Sequence, residues 1–369
     1  MQPNCHRRRT LRASLAALLV LAVSNATLAD TIDDVDDKPD AWFTSDEGRQ
    51  ILDNVLSWQQ PTGGWWKSYD VKEHRPASAD PGHDGRSIFD NKATWTEMRV
   101  LARAFQLTGE PNYRDAFERA LQATFDAQYA NGGFPQEFPP PQDGYANDIT
   151  YNDDAMANVL RLLRDVGDGR EPFGFVEDAR RSRARTALQK GIQCVLDTQI
   201  KIDGKRTVWC AQHDETTLEP SKARSYELPS LSGSESADLV MFLMSLEDPS
   251  NEVKQSIESA VAWFESSRMQ GIRLERSDAP DAPRGFDYRV VEDANAPDLW
   301  ARFYDLDTGM PYYSDRDGVK VDSIDKIGVE RRTGYAWLRP FGRKVLNAYP
   351  QWAQEHGLDP DPAAARAHP

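Results

Sequence analysis

Apolar residues recur at helical spacing along most of the chain, and the stretches that carry them come in pairs. In each pair, a first helix is followed by a turn, an aromatic residue, a long loop and a second helix. The first helices end at Gln60, Gln128 and Gln199, and the aromatic residues are Trp65, Phe134 and Trp209. The pattern predicts three helical hairpins of similar construction, repeated roughly every 70 to 75 residues.

Hairpins that cannot bury their apolar faces alone stack on their neighbours. We therefore predict an all-α fold, an α/α toroid of the (α/α)3 barrel type, with long loops and minor β-structure. Each long loop precedes the second helix of its unit, so the loops gather at one end of the stack. Asp90, Asp153 and the segment 224–235 would then line a single cleft.

The C-terminal third of the chain follows a different pattern. Residues 252–270 resemble the first helix of a fourth unit. Residues 272–334 are rich in turn formers and include a strand-like stretch at 284–291. A helix from Gly334 onwards, kinked near Pro340, would close the fold as the partner of the fourth first helix.

Both ends of the chain are predicted to lie outside this core. Residues 1–29 have the form of a signal peptide, with a basic start, an apolar centre too short to span a bilayer, and a cleavage edge near Ala26 or Ala29. The protein would then be secreted or periplasmic, from a bacterium. We expect a disordered lead-in at 30–42, one domain at 43–350, and the C-terminal end with a disordered tail at 351–369.

The net negative charge of the chain argues against two classes of binding partner. The formal charge is -15, and cleavage after Ala29 removes four arginines and no acids, which leaves -19. Such a surface repels nucleic acid and anionic membranes, so we expect neither as a partner, and we expect a monomer. Cys194 and Cys210 remain after cleavage, and an oxidising compartment leaves both the bridged and the free state open.

Asn152, Asp153 and Asp154 begin the second helix of the second unit, and two interpretations stand side by side. They form either a helix cap that complements the helix dipole or a metal or substrate site. Asp and Asn oxygens suit calcium. A zinc site at Cys210 and His213 is rejected because a second ligand pair is lacking.

A set of short motifs resembles the pectate lyases of polysaccharide lyase family ten. In chain order the motifs are GGWWK, DNKAT, GGFPQEFP, ITYNDDAM, ARSYE, SGSES, WARFYD and ERRTGYAWL. They run from about residue 50 to residue 345, and their order is more specific than any one of them. The resemblance implies an incomplete α/α toroid and β-elimination of polygalacturonate, with calcium bridging the substrate carboxylate to the enzyme.

The resemblance also implies roles for individual residues. Asp90 and Asn91 in DNKAT, with Asp153 in YNDDAM, resemble the family's calcium and substrate contacts. Arg224 in ARSYE resembles its catalytic base. The alternative for Arg224 is a structural loop arginine paired with Glu227.

Five further residues are expected to contact the substrate. Arg302 in WARFYD and Arg316 in RDG resemble the arginines that hold substrate carboxylates. Lys67 follows a tryptophan where the family commonly has proline, so its family role carries over less directly. Trp65 and Tyr313 are the aromatic candidates for contact with a sugar ring, and Trp66 is a further candidate for the cleft.

The implied reaction is physically consistent but demanding. β-Elimination removes the C5 proton beside the uronate carboxylate, and calcium and arginines stabilise the charge that develops there. Holding an arginine neutral at pH 9 costs roughly 5 kcal/mol, which burial and nearby cations can reduce. The rival functions are a toroidal glycoside hydrolase with paired carboxylates and a periplasmic protein that binds oligogalacturonides without cleaving them.

Overall fold

The computed structural model describes residues 31–76, 80 and 82–369, so the predicted signal peptide lies outside the described residues. Most of the regular structure is helical, in agreement with the prediction of an all-α fold. The helices are α1 (Ile32–Asp36), α2 (Asp40–Phe43), α3 (Asp46–Ser57), α4 (Trp95–Thr108), α5 (Pro111–Ala127), α6 (Ala155–Asp168), α7 (Asp178–Asp197), α8 (Glu235–Met244), α9 (Asn251–Ser266), α10 (Val329–Gly334) and α11 (Arg343–Glu355).

The strands form two-stranded antiparallel ladders, most of them two residues long. The pairs are β1 (Ser87–Ile88) with β2 (Glu137–Phe138), β3 (Ile149–Thr150) with β6 (Gln212–His213), β4 (Lys201–Ile202) with β5 (Lys205–Arg206), β7 (Leu231–Ser232) with β11 (Phe303–Tyr304), β8 (Ile272–Asp278) with β9 (Phe286–Glu292), β10 (Trp300–Ala301) with β14 (Leu338–Arg339), and β12 (Tyr313–Ser314) with β13 (Lys320–Val321). The longest pair, β8 with β9, contains the predicted strand-like stretch.

The helices of the predicted units are α3 and α4, α5 and α6, and α7 and α8, and a fourth unit consists of α9 and α11. The most extensive helix packing in the described residues lies between units, where α4 packs on α5 and α6 packs on α7. One glutamine after each first helix joins its unit to the next. The Nε2 groups of Gln59, Gln128 and Gln199 donate to a carbonyl of their own turn and to a carbonyl of α5, α7 or α9, the latter at 2.8, 2.8 and 3.0 Å. In the first unit the joining residue is Gln59, one position before the predicted Gln60.

Tryptophans anchor the turn of three units to the first helix. The indole Nε1 groups of Trp65, Trp209 and Trp300 donate to backbone carbonyls in α3, α7 and α9, at 2.8, 2.6 and 2.9 Å. Phe134 occupies the same place in the second unit, and all four rings are buried. Each ring therefore fixes where its long loop starts.

The structure corrects the predicted disorder at both ends of the described chain. Residues 31–43 contain α1 and α2, which bury Val35 and Phe43 and pack against α4. At the other end, α11 crosses the predicted boundary at 350, and the backbone N–H of His368 donates to Ser259 at 2.9 Å. The sequence reading missed these contacts because both segments are short and polar.

The helix that closes the fourth unit is shorter than predicted. α10 ends at Gly334, residues 338–339 form β14, and α11 begins at Arg343. Pro340 therefore precedes the helix and does not kink it. This agrees with the extended backbone that proline imposes on the residue before it.

Cys194 and Cys210 are both buried and free, so the question of the disulfide is answered in favour of two thiols. Burial raises the pKa of the Cys194 thiol to about 12, which makes it unreactive at neutral pH. Among the helices of the described ranges, none has the length and apolar character needed to cross a bilayer.

Candidate functional site

The loops meet around a polar cavity of about 100 Å³. Tyr145 is the single aromatic residue in its lining, and the other lining residues are charged or carry side-chain amides. The full lining is Lys67, Asp90, Asn91, Gln136, Tyr145, Asn152, Asp153, Gln212, Arg224 and Glu227.

Three ladders join the loops of successive units beside this cavity. β1 pairs with β2, β3 with β6, and β7 with β11, so each unit is hydrogen-bonded to the next one. A polar residue follows shortly after the first strand of each ladder: Asp90, Asn152 and Glu235. The repeated hairpins thus deliver equivalent positions of three units to one place.

Two short turns, Asp90–Lys92 and Asn152–Asp154, pack against each other at the cavity. Asn91 and Asp153 both have a φ of 49°, in the left-handed region. Asn and Asp enter this region more readily than other non-glycine residues because their short polar side chains can hydrogen-bond locally. The two units therefore use the same local backbone to present an oxygen-bearing side chain.

The carboxylates of Asp90 and Asp153 are incompletely paired. Asp90 Oδ2 accepts hydrogen bonds from Lys67 Nζ and, at 3.1 Å, from Asn91 Nδ2. Asp90 Oδ1 is buried and has no hydrogen-bond partner in the described part of the chain. Burial raises the pKa of Asp153 to about 6, Arg302 opposes this shift, and Asp90 and Glu235 add to it.

Arg302 lies beneath the two turns and is 7% exposed. Its Nη2 donates to Glu235 and to Asn152 Oδ1 at 3.1 Å, and it lies 3.7 Å from Asp153 Oδ1. Burial lowers the pKa of Arg302, but Glu235 outweighs burial and the net shift is upward. Arg302 is therefore a buried support of the turns outside the cavity lining, and its contact with a substrate carboxylate stays a prediction.

Arg224 reaches the cavity from the loop before β7, and its side chain is 45% exposed. Nε donates to Glu227 Oε2 at 2.7 Å, and Nη2 donates to Glu227 Oε1. The rings of Tyr226 and Tyr335 lie 5.0 and 5.7 Å from the guanidinium carbon. Burial lowers the pKa of Arg224, but the hydrogen bonds and charge of Glu227 raise it further, so the resting side chain is a cation.

Arg316 is exposed outside the cavity lining. It donates from Nε and Nη2 to Glu330 at 3.2 and 3.0 Å. Its loop nevertheless packs on the Arg224 segment. Gly318 comes so close to Ser225 that an added Cβ would lie 2.9 Å from the Ser225 carbonyl oxygen. The structure thus brings together Lys67, Asp90, Asn91, Asp153 and Arg224, with Arg316 nearby on the same loop cluster.

The structure does not place Trp65 or Tyr313 in the cleft, and this corrects both predictions. Trp65 is 0% exposed and Tyr313 is 3% exposed. Trp65 is held by its bond to α3, and Tyr313 packs edge-on against Trp337. The neighbouring Trp66 is half-buried and stacks on His83 with 3.7 Å between ring centroids.

Several residues of the site were missed from sequence. Tyr145, 36% exposed, lies at the cavity on a loop that carries no periodic pattern. Glu235 could have been found by aligning the units, because it follows β7 much as Asp90 follows β1. Tyr335, which donates to Glu227 at 2.7 Å, had no signal of its own in the sequence.

A separate acidic group lies outside the cavity lining. One oxygen each from Asp148, Asp214 and Glu215 lies within 4.8 Å of the others. Asp148 Oδ2 accepts from Ser221 Oγ at 2.6 Å, and burial raises the pKa of Asp148 to about 6. Its oxygens are possible cation ligands.

Comparison with known proteins gives two concordant results. A family model described as pectic acid lyase matches residues 59–346. The solved structure of a family 10 polysaccharide lyase from Cellvibrio cellulosa is 37% identical, with 88% of this chain and 95% of that chain covered and a TM-score of 0.74. A mutant of the Cellvibrio lyase in complex with trigalacturonic acid is 36% identical, with 89% and 100% covered and a TM-score of 0.73. No curated protein matched.

Proposed function

This chain belongs to the pectic acid lyase family and is a polysaccharide lyase, and we propose that it cleaves polygalacturonate by calcium-assisted β-elimination with Arg224 as the base. The observation that carries the proposal is one polar cavity lined by three acids, Asp90, Asp153 and Glu227, and by Arg224. Acids whose charge is only partly balanced suit a metal ion, and arginine suits a uronate carboxylate. The trigalacturonic acid bound to the Cellvibrio mutant supports a galacturonate substrate.

In the proposed step, the neutral guanidine of Arg224 takes the proton from C5. The electron pair of the C5–H bond forms a C4=C5 double bond, and the C4–O glycosidic bond breaks. The departing oxygen takes a proton from water, and Arg224 later returns its proton to solvent. The products are one unsaturated uronate end and one ordinary sugar end.

Calcium fits the residues present on the acidic side of the cavity. Asp90, Asn91 and Asp153 offer hard oxygen ligands, and Asp90 Oδ1 is a buried acceptor that lacks a donor among the described residues. When bound there, calcium would supply positive charge to the uronate carboxylate and to the acids of a strongly acidic protein. Lys67 already neutralises part of Asp90 and would stay with it.

The arginines take different roles in this proposal. Arg316 is exposed, so it can exchange Glu330 for a substrate carboxylate at small cost. Arg302 is buried and acts by orienting Asn152 and Glu235. Tyr145 offers the exposed ring that Trp65 and Tyr313 do not.

The overall fold and the cellular location of the protein complete the proposal. We propose that the stacked hairpins curve into an incomplete α/α toroid whose open end carries the cavity. We propose a secreted monomer, and the absence of a membrane-spanning helix among the described residues is compatible with that.

Ultraviolet absorbance tests the function directly. Purified protein mixed with polygalacturonate and calcium should give unsaturated products that absorb in the ultraviolet, and exhaustive chelation should abolish the signal. A hydrolase would give reducing ends without absorbance and would keep working with chelator. A binding protein would give neither product, and either result would reject the lyase.

A further inference from the structure

We propose that Glu227 is a positioning residue for Arg224, and that the nitrogen which accepts the C5 proton is Arg224 Nη1. This inference rests on the proposed function, because it concerns the residue proposed as the base. It adds a second residue and a single atom to that proposal.

Glu227 is itself firmly held. Its side chain is 4% exposed, and Tyr335 donates its hydroxyl to Oε1 at 2.7 Å. The backbone N–H of Arg224 donates to Oε2 at 3.1 Å, and the backbone N–H of Glu227 donates to the Arg224 carbonyl at 2.9 Å. A carboxylate fixed on both oxygens within one tight turn leaves the guanidinium little freedom to rotate.

The pairing uses two of the three nitrogens of the guanidinium. Nε and Nη2 donate to the two oxygens of Glu227, which is the fork-like geometry of arginine with carboxylate. Nη1 makes no hydrogen bond with the described residues, and the side chain lines the cavity. A neutral guanidine would keep the two N–H groups that Glu227 accepts, so the lone pair forms on Nη1.

The groups around Arg224 act in opposite directions on the charge of its side chain. Glu227 and the rings of Tyr226 and Tyr335 favour the cation, whereas Arg331 and Arg302, 4.2 and 4.5 Å from those rings, oppose it. Tyr145, Lys67, Asp90 and Asp153 are the remaining titratable groups around the cavity. Glu227 therefore orients the base at the expense of a higher pH for its deprotonation, in line with the upward pKa shift of Arg224.

The test is the pH profile of kcat in Glu227→Gln. Glutamine keeps the shape but loses the charge, so the rise of kcat with pH should move about one pH unit or more towards acid. The plateau of kcat should fall by about tenfold or more, because one amide oxygen cannot hold both N–H groups. If Glu227→Gln folds and its kcat rises at the same pH as that of the wild type, the inference is wrong.

Two further variants make the result independent of that one substitution. Glu227→Asp keeps the charge, so its rise should stay at the wild-type pH. Tyr335→Phe keeps the ring but removes the hydroxyl that holds Glu227 Oε1, so Arg224 is oriented less well and the plateau of kcat should fall by about threefold or more. An unchanged plateau in Tyr335→Phe contradicts the inference even if Glu227→Gln fails to fold.

The matched control is Asp287→Asn. Asp287 accepts from Nε and Nη2 of Arg332 at 2.7 and 2.6 Å, which is the same kind of pair outside the cavity. Its loss should leave both the plateau and the pH of the rise unchanged. If Arg224→Lys stays active, the base itself is wrong. If Arg224→Lys is inactive and Glu227→Gln shows no shift, only the positioning role fails.

Discussion

The two walls of the cavity differ in how their charges are paired. The acid wall consists of Asp90, Asn91 and Asp153 from the first two units, and it contains an unpaired buried oxygen and a carboxyl with a raised pKa. The arginine wall comes from the third unit and the chain after α9: Arg224 lines the cavity, whereas Arg302 lies buried behind the lining and Arg316 lies exposed outside it. Each of its arginines is paired with a glutamate: Arg224 with Glu227, Arg302 with Glu235 and Arg316 with Glu330.

This difference indicates what each wall does when a substrate arrives. The acid wall is only partly neutralised, because Lys67 pairs with one oxygen of Asp90. Its remaining negative charge opposes an anionic sugar, so a cation is needed before the sugar can approach it. Each arginine of the arginine wall already pairs with a glutamate. A substrate uronate must therefore compete with that glutamate for the guanidinium group. The competition is easier at Arg316, whose partner Glu330 is exposed, than at Arg224, whose partner is buried. The acid wall therefore sets the metal requirement, and the arginine wall sets the geometry of the reaction.

The largest expected effect is the loss of turnover in Arg224→Lys. Lysine keeps the charge but not the planar fork, so kcat should fall by about a thousandfold or more. Steady-state kinetics with polygalacturonate measures it, and the fold is checked by circular dichroism. Arg316→Lys is the control on the same wall, and it should raise KM more than it lowers kcat. Turnover of Arg224→Lys above about a tenth of wild type, which is under 1.4 kcal/mol of barrier, rules out Arg224 as the base.

Asp153→Ala should change the metal requirement of the acid wall. Removing one carboxylate should raise the calcium concentration for half-maximal activity by about tenfold or more, which corresponds to ~1.4 kcal/mol of binding. Titration of calcium into chelator-treated enzyme measures it. Asp178→Ala, an exposed acid in the first turn of α7, is the matched control and should leave the requirement unchanged. An unchanged requirement in Asp153→Ala would remove Asp153 from the proposed calcium site.

The sequence predicted the helices of each unit because every unit has apolar residues at helical spacing, whatever the length of its loop. It did not predict that α4 would pack most extensively on α5 and α6 on α7, across the boundaries of the units. It could not predict whether the aromatic residue of a turn would point into the core or into the cleft. Trp65 and Tyr313 were therefore predicted in the cleft, although both are buried. It could not predict the ladders β1 with β2 and β3 with β6 either, because two-residue strands are too short to show alternation.

The charge pairing was the least predictable part of the site. Glu227 is close to Arg224 in sequence and was weighed as its partner, and the structure pairs them. Glu235 lies 67 positions from Arg302, so only the folded chain reveals that ion pair. Pairing over such distances depends on how the units stack, which periodicity does not specify.

A buried acid behind the acid wall provides the smallest and last test of the comparison. Glu97, in α4, lines a cavity of about 170 Å³ that shares Lys67 and Asn91 with the main one. Tyr69 donates to its Oε1 at 3.1 Å, whereas Oε2 has no partner among the described residues. Burial raises the pKa of Glu97 from 4.5 to about 7. The folded state therefore holds this proton more tightly than the unfolded state does.

Glu97→Gln should consequently change how stability depends on pH. In the wild type, the free energy of unfolding should fall as pH rises from about 4.5 to about 7, by up to about 3 kcal/mol, because the folded carboxyl resists ionisation. Glutamine does not titrate, so the variant should match the wild type near pH 4 and exceed it at pH 8. Urea unfolding of chelator-treated protein across this range measures the difference. Glu110→Gln, which removes an exposed partner of Arg49, should show no such trend. A pH-independent difference between Glu97→Gln and wild type would mean that Glu97 is already ionised and neutralised in the folded protein, and the acid wall would then not be short of positive charge.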